Sequence, residues 1–164
     1  MKKYLYDYVT FNTWANNRMC DVAAKLTEEQ LTQEMKSSFP SIRATMLHIM
    51  EAQDIWLERF DGHSPSSWPT FTGTSADLIE GLRKSSKALE AKVKSYDKKG
   101  LKKEVSYITL KGIAGNSQVY QMFAHVANHG TYHRGQLITM FRTVGVSELP
   151  ATDLIAFFRE KKAK

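Results

Sequence analysis

The chain has 164 residues, of which 42% are hydrophobic and 24% are charged, a composition typical of a globular protein. We expect a single domain over residues 1–164, because a chain of this length can bury roughly two thirds of its unfolded surface. No apolar run reaches the ~20 residues that a membrane span requires. The N-terminus mixes polar and aromatic residues, unlike a signal peptide, so we predict a cytoplasmic protein.

The net charge of +6 has its densest source in a run of lysines between residues 84 and 103. Such a run can attract phosphates, which keeps a nucleic-acid-binding module as an alternative function. It more often forms the solvated face of a helix, and no zinc finger, RNA-binding signature or Gly-rich phosphate loop accompanies it. We therefore do not expect nucleic acid as a partner. We also expect no membrane partner.

The single cysteine, Cys20, excludes an internal disulfide and fits a reducing compartment. It lies within the first predicted helix. Since no local feature suggests a lowered thiol pKa, we expect a small core residue rather than a nucleophile.

The first of four long predicted helices runs from about residue 3 to 25, because apolar and aromatic residues recur at three- and four-residue spacing. This stripe consists of Tyr4, Tyr8, Phe11, Ala15, Met19, Val22 and Leu26. Thr27 with Gln30 then forms a capping-box pattern, which predicts a short further turn of helix.

The second long helix follows Pro40, with Ser41 as its predicted N-cap, and runs to about Phe60. Residues 61–74 are rich in Gly, Pro, Ser and Thr, so they predict a loop. Its histidine, His63, is expected to be solvated. The third long helix begins near Ser75, with an apolar stripe that includes Leu78, Leu82, Leu89, Val93 and Tyr96.

Residues 103–110 alternate and are rich in β-branched side chains, which predicts a short strand, half of a hairpin. Asn116 is the predicted cap of the fourth long helix, which reaches about Val144 before Gly145. A short C-terminal helix follows Pro150. These elements predict an all-α four-helix bundle with a short hairpin or irregular segment between helices 3 and 4 and a short C-terminal helix.

The fourth long helix carries His129 and His133, which lie above one another on one face because they are four residues apart. At about 100° per residue, His133 falls within the apolar stripe of this helix and His129 lies just off its edge. Two polar rings that face the interior need partners, and a metal ion would satisfy both. Histidines hydrogen-bonded to other side chains are the alternative.

His125 lies one further turn back and is rotated about 40° toward the polar side. It could be a rim residue, a group behind the ligands or a substitute ligand. A third ligand should come from a facing helix, and the candidates are His48 and the nearby carboxylates of Glu51 and Asp54. His48 lies off the main apolar stripe, so periodicity alone gives it weak support.

Three neutral imidazoles leave coordination positions open, which is typical of a catalytic rather than a structural metal site. Such a donor set suits zinc or nickel.

These residues belong to segments that resemble the DinB/YfiT-like family of metalloenzymes. The matching segments are FPSIRATMLHIMEAQDIWLERFDG (residues 39–62) and HVANHGTYHRGQLITMFRTVG (residues 125–145), supported by FNTWAN (residues 11–16) and ATDLIAFFRE (residues 151–160). The resemblance therefore spans nearly the whole chain. Its specific part is a histidine in the second long helix combined with HxxxHRGQ late in the sequence.

The resemblance implies a four-helix bundle, a homodimer and a three-histidine site for a divalent metal ion. Its ligands would be His48, His129 and His133, whereas His125 is not part of the family pattern. Arg134 and its neighbours Gly135 and Gln136 also match the motif, which leaves helix packing and substrate contact both open as their role. The family's name refers to induction by DNA damage, which describes expression and does not imply contact with DNA.

Relatives in this family and its close neighbours include enzymes that transfer low-molecular-weight thiols. The resemblance therefore implies a metal-dependent thiol S-transferase or small-molecule hydrolase, with a cellular thiol as one candidate substrate. No catalytic residue beyond the ligands and no further cofactor is indicated. The alternative is a non-catalytic, stress-associated bundle whose metal site is structural or vacant.

Overall fold

The structure, a computed structural model, describes residues 2–163 and is a bundle of four long helices. Its helices are α1 (Lys2–Ala23), α2 (Glu28–Thr32), α3 (Ile42–Phe60), α4 (Ser75–Ser95), α5 (Val119–Thr143) and α6 (Leu154–Lys162). Helices α1 and α3 each pack against both α4 and α5, so α3 and α5 are neighbours. The predicted all-α four-helix bundle is confirmed. No described helix combines the length and apolar character that a membrane span needs.

The helix starts follow from local capping residues. The backbone N–H of Gln30 donates to Thr27 Oγ1 at 3.2 Å, and the backbone N–H of Thr27 donates to Gln30 Oε1 at 3.1 Å. At the start of α3, Ser41 Oγ accepts a hydrogen bond from the backbone N–H of Ala44 at 3.1 Å. These contacts satisfy amide groups that have no partner within the helix. Both predicted caps are therefore confirmed.

A short antiparallel hairpin connects α4 to α5, as the alternating segment predicts. Strand β1 (Glu104–Ile108) pairs with strand β2 (Ala114–Gln118). A single 3-10 turn (Gly100–Lys102) precedes the hairpin. Because the hairpin lies against α3, it covers the end of that helix where Phe60 is located.

The prediction that Asn116 caps the last long helix is wrong. Asn116 lies in β2 opposite Ser106, and its Nδ2 donates to Glu104 Oε2 at 2.9 Å. Strand pairing therefore continues for two residues beyond Asn116. The cap of α5 is instead Gln118, whose backbone N–H donates to Gln121 Oε1 at 2.9 Å.

The buried apolar residues form three clusters, two of which lie within the four-helix bundle and are separated by polar residues. One cluster includes Met19, Met46, Leu82, Leu137 and Phe141. The other includes Leu5, Val9, Phe60, Leu89 and Phe123. Between them, every long helix contributes a buried polar side chain, and we call this set the polar layer: Asn12, Asn16, Gln53, Ser86 and Arg134. Because these groups must hydrogen-bond to one another, the layer constrains how the four helices face each other.

The stripe predicted for α1 is buried from Phe11 to Val22, but Tyr4 at its beginning is 61% exposed. Phe157 of α6 covers the stripe at Phe11, with ring centroids 6.0 Å apart. The core-facing side of α1 begins instead with Leu5 and Val9, which join the second apolar cluster. Thus α1 has two apolar faces, one toward the bundle and one toward α6.

Cys20 is fully buried and its Sγ lies 3.7 Å from the carbonyl oxygen of Ile79. Burial raises the pKa of this thiol to about 12, so it stays protonated at neutral pH. The expectation of a core cysteine is confirmed.

The lysines between residues 84 and 103 lie mostly on the surface. Two of them, Lys87 and Lys94, lie 3.8 and 3.4 Å from the carboxylate of Glu90. The expected solvated helix face is therefore observed on α4.

Candidate metal centre

Three histidines from two helices converge on one point between α3 and α5. The Nε2 atom of His129 lies 3.2 Å from Nε2 of His48 and 3.1 Å from Nε2 of His133. All three ligand nitrogens lie within 4.8 Å of one another, and no carboxylate of the described residues joins this group. The structure thus brings together the three residues named from the sequence, and we call them the histidine cluster.

The spacing of these nitrogens suits a metal ion. Zinc binds imidazole nitrogens at about 2.0–2.1 Å, which places two such ligands about 2.9 Å apart at a right angle and about 3.4 Å apart at a tetrahedral angle. The observed separations of 3.1 and 3.2 Å fall between these values. A hydrogen bond between two imidazoles has a similar length. However, one N–H group can bond well to only one of the neighbouring nitrogens, whereas a central cation can bind all three.

Helical geometry explains how the cluster forms. His129 and His133 are one turn apart on α5, and the neighbouring α3 supplies His48 from its outer edge. His133 is only 5% exposed, whereas the other two rings are half-buried. The predicted phase of α5, with His133 in the apolar stripe and His129 at its edge, agrees with this burial. The cluster is therefore open to solvent on one side.

Gln136 fixes the orientation of the His133 ring. Its Oε1 lies 2.8 Å from His133 Nδ1, and its Nε2 donates to Ser38 Oγ at 2.8 Å. Since an amide oxygen only accepts, Nδ1 of His133 carries the proton and donates. The lone pair of Nε2 then points into the cluster, as a metal ligand requires.

Electrostatics keep the cluster uncharged at neutral pH. Burial, followed by the nearby His133, lowers the pKa of His48 to about 4. Burial and the neighbouring histidines likewise lower the pKa of His129 to about 4, and burial lowers the pKa of His133. Because only a neutral imidazole has a free lone pair, all three residues are ready to bind a cation at pH 7.

Aromatic side chains surround the histidine cluster. The ring of Phe39 stacks on His48 with centroids 4.2 Å apart, and Trp68 contacts the same histidine at 5.1 Å. Tyr132 lies 5.0 Å from His133. The first two come from loops that carry no helical period, which is why sequence patterns do not identify them. They lower the polarity around the open side of the site.

His125 lies beside the histidine cluster and not in it. Its ring is 5.9 Å from that of His129 and 5.0 Å from that of Trp56. Burial and the positive charge of Arg59 lower its pKa. The expectation that His125 is not one of the three converging residues agrees with this geometry.

The other candidates from the sequence lie elsewhere. Asp54 Oδ1 accepts a hydrogen bond from Ser85 Oγ of α4 at 2.6 Å, so this carboxylate is turned toward a different helix. Burial raises the pKa of both Asp54 and Glu51. His63 is exposed in its loop, as expected, with Nδ1 3.2 Å from Glu58 Oε2.

Arg134 faces the bundle interior and not the histidine cluster. Its Nη1 donates to Asn12 Oδ1 and Asn16 Oδ1, both at 2.7 Å, and its Nη2 donates to Thr131 Oγ1 at 2.8 Å. A Cβ at Gly130 would lie 2.5 Å from Asn12 Oδ1, so only glycine allows this approach. Of the two roles left open for Arg134, the structure supports helix packing.

Comparison with known proteins agrees with this fold. Residues 1–162 match the DinB family. The chain is 26% identical over 178 aligned positions to protein DinB of Bacillus subtilis (strain 168), covering 100% of this chain and 99% of that protein.

Solved structures of DinB-like proteins share the fold. One from Bacillus subtilis superposes with a TM-score of 0.70 at 16% identity, covering 89% of this chain and 97% of the other. Another from Bacillus cereus ATCC 10987 gives 0.65 at 21% identity, with 87% and 91% covered. A third from Exiguobacterium sibiricum 255-15 gives 0.65 at 13% identity, with 93% and 97% covered. With the family match over residues 1–162, the chain belongs to the DinB family.

Proposed function

We propose that the chain is a metal-dependent enzyme for a small-molecule substrate, with His48, His129 and His133 as ligands of a zinc or nickel ion. The observation that carries this proposal is the convergence of three neutral Nε2 atoms at 3.1 and 3.2 Å on a side open to solvent. Three nitrogen ligands leave coordination positions free, which distinguishes catalytic from closed structural sites.

The chemistry that we favour is transfer of a low-molecular-weight thiol to an electrophile, with hydrolysis as the alternative. A divalent cation in this position would lower the pKa of a thiol or a water molecule and so supply a nucleophile at neutral pH. Imidazole-bound zinc and nickel accept thiolate readily. The rings of Phe39 and Trp68 next to His48 offer apolar contacts to an organic electrophile and limit the access of competing water.

The first test is the metal content and activity of gently purified protein. Elemental analysis should find a divalent transition metal in the wild type and in His63→Gln, whose histidine is exposed in a loop, but not in His129→Ala. Conjugation of a cellular thiol to an electrophile should stop after chelation and return when the metal is restored. Activity that is unchanged in the stripped protein would contradict the proposal.

A second candidate is a non-catalytic bundle with a structural or vacant metal site. The observation that favours it is the closeness of the three rings, since neutral imidazoles 3.1–3.2 Å apart can also hydrogen-bond to one another. Thermal unfolding of His133→Ala separates the two candidates. A large loss of stability without any assayable reaction in the wild type would favour the structural role.

A further inference from the structure

A buried arginine on α3 has no carboxylate partner among the residues that the structure describes. Arg59 is only 5% exposed, and its Nη2 donates to the backbone oxygen of Ile108 at 3.3 Å. Its Nε is buried without any hydrogen-bond acceptor among the described residues. A positive charge that is buried and incompletely hydrogen-bonded is unfavourable. The position of Arg59 is therefore one that an anion could stabilise.

Arg59 is connected to the histidine cluster by a run of contacts. Its guanidinium lies 4.6 Å from the ring centroid of Trp56 and 5.3 Å from that of Tyr107. Trp56 also contacts His125 at 5.0 Å, and His125 lies 5.9 Å from His129. Two residues, His125 and Trp56, thus connect the histidine cluster to the arginine.

Helix geometry places the two ends of this run on the same side of α3. His48 and Arg59 are eleven residues apart, which at about 100° per residue leaves their directions about 20° apart. The face of α3 that supplies one member of the histidine cluster therefore also carries Arg59. About three helical turns separate them, which is roughly 16 Å along the axis.

We propose that Arg59 and His125 form a subsite for an anionic oxygen group, a carboxylate or a phosphate, on the molecule that reacts at the histidine cluster. A planar guanidinium can donate two parallel hydrogen bonds to such a group, and an imidazole N–H can add another. The rings of Trp56 and Tyr107 reduce competition from water. This assignment rests on the proposed function, and it defines a substrate with one anionic end remote from its reacting atom.

The competing explanation is that Arg59 only anchors the hairpin by stacking on Tyr107 and by its bond to Ile108. The two explanations differ for Arg59→Met, which keeps an apolar stem without the charge. If Arg59 is only an anchor, Arg59→Met should have a lower melting temperature and should bind anions as the wild type does. An anion subsite predicts a folded variant that no longer responds to anions.

The test is titration of the protein with inorganic phosphate and, separately, with succinate, at matched ionic strength. Thermal melting and the NMR signals of His125, assigned with His125→Asn, report binding. We expect at least one anion to raise the melting temperature of the wild type and of Arg142→Met, which removes an exposed arginine of α5. The affinity of Arg59→Met should be at least about tenfold lower. The anion that binds more tightly, phosphate or succinate, indicates whether the subsite prefers a phosphate or a carboxylate group.

Each titration is repeated on metal-free protein, so that failure of the subsite can be distinguished from failure of the metal proposal. The subsite predicts that anion binding persists without metal. If Arg59→Met does not fold, Arg59→Lys replaces it and should keep the charge but bind more weakly, because it lacks the planar fork. Equal responses of the wild type and the Arg59 variant, or no response of the His125 signals to either anion, would overturn the proposal.

Discussion

Arg134 Nη1 donates a 2.7 Å hydrogen bond to Asn12 Oδ1 in the middle of the bundle. Burial lowers the pKa of this arginine to about 10, so it remains charged at neutral pH. The charge is held by amide and hydroxyl oxygens, because Asn16 and Thr131 are its other acceptors. A buried charge satisfied in this way depends on every one of its partners.

Replacing Asn12 with leucine should therefore destabilise the fold strongly. The substitution removes one acceptor of Arg134 and leaves a charged donor unpaired, which costs about 3 kcal/mol. Urea unfolding followed by circular dichroism measures the change. Asn128→Leu, at an exposed position of α5, is the matched control and should change stability by less than about 0.5 kcal/mol. Similar values for both variants would contradict the role of Asn12.

Two glycines of α5 should respond in opposite ways to alanine. At Gly130 the new Cβ would lie 2.5 Å from Asn12 Oδ1 and 2.7 Å from Arg134 Nη1. This overlap should cost about 2 kcal/mol. At Gly135 a new Cβ would meet no atom within 4 Å beyond its chain neighbours and its own helix backbone, so alanine should stabilise the helix by about 1 kcal/mol. Thermal unfolding of both variants tests the pair, and two changes of the same sign would refute the explanation.

Loss of the hydrogen bond from His133 should weaken metal binding without removing a ligand. Gln136→Leu leaves Nδ1 of His133 without its acceptor, so the ring no longer has a fixed orientation. Metal affinity should fall about 10- to 100-fold. Competition with a chromogenic chelator measures it, with Asn128→Leu again as control. An affinity equal to that of the wild type would show that Gln136 does not support the site.

His125 and His129 should differ in their effect on metal stoichiometry. Of these two residues, only His129 contributes a nitrogen to the histidine cluster. The ring centroid of His125 lies 5.9 Å from that of His129. Elemental analysis should therefore find metal in His125→Ala at the wild-type ratio and none in His129→Ala. Loss of metal from both variants would place His125 among the ligands.

The metal-free protein should lose stability as the pH falls from about 6.5 to about 4. His48 and His129 have a pKa of about 4 in the folded chain against an ordinary 6.5. Between these values the unfolded chain binds more protons than the folded one, so acidification favours unfolding. Above this window the two residues cause no further pH dependence.

Urea unfolding of metal-free protein at a series of pH values checks this. The double substitution His48→Gln with His129→Gln should flatten the dependence, whereas His63→Gln should leave it unchanged. An unaltered slope in the double variant would mean that other groups cause the acid sensitivity.

Helical period was sufficient to predict most of the fold. The stripe through Leu82 and Leu89 on α4 and the capping residues Thr27 and Ser41 are local patterns of the sequence, and the structure places both leucines in the core. Asn116 was misassigned because its partner Glu104 lies twelve residues away, across a hairpin turn. Tyr4 belongs to the predicted helix but is 61% exposed, because α6 covers the stripe of α1 at Phe11 and the bundle covers it only from Met19 onward.

The candidate site was only partly predictable. The i, i+4 spacing of His129 and His133 is visible in the sequence, but His48 lies off the apolar stripe and needed the family pattern. Arg59 was missed because a polar residue near a helix end normally indicates solvent. The polar layer could have been predicted from the sequence, because Asn12 and Asn16 are one turn apart on α1.

His133 and Arg134 are adjacent in sequence and point in different directions from α5. One ring turns to the histidine cluster, and the next side chain enters the polar layer. A rotation of α5 about its own axis would break both sets of contacts at once. The orientation of the histidines is thus set by the packing of the whole bundle, so changes remote from the site that loosen this helix would alter the geometry of the histidine cluster.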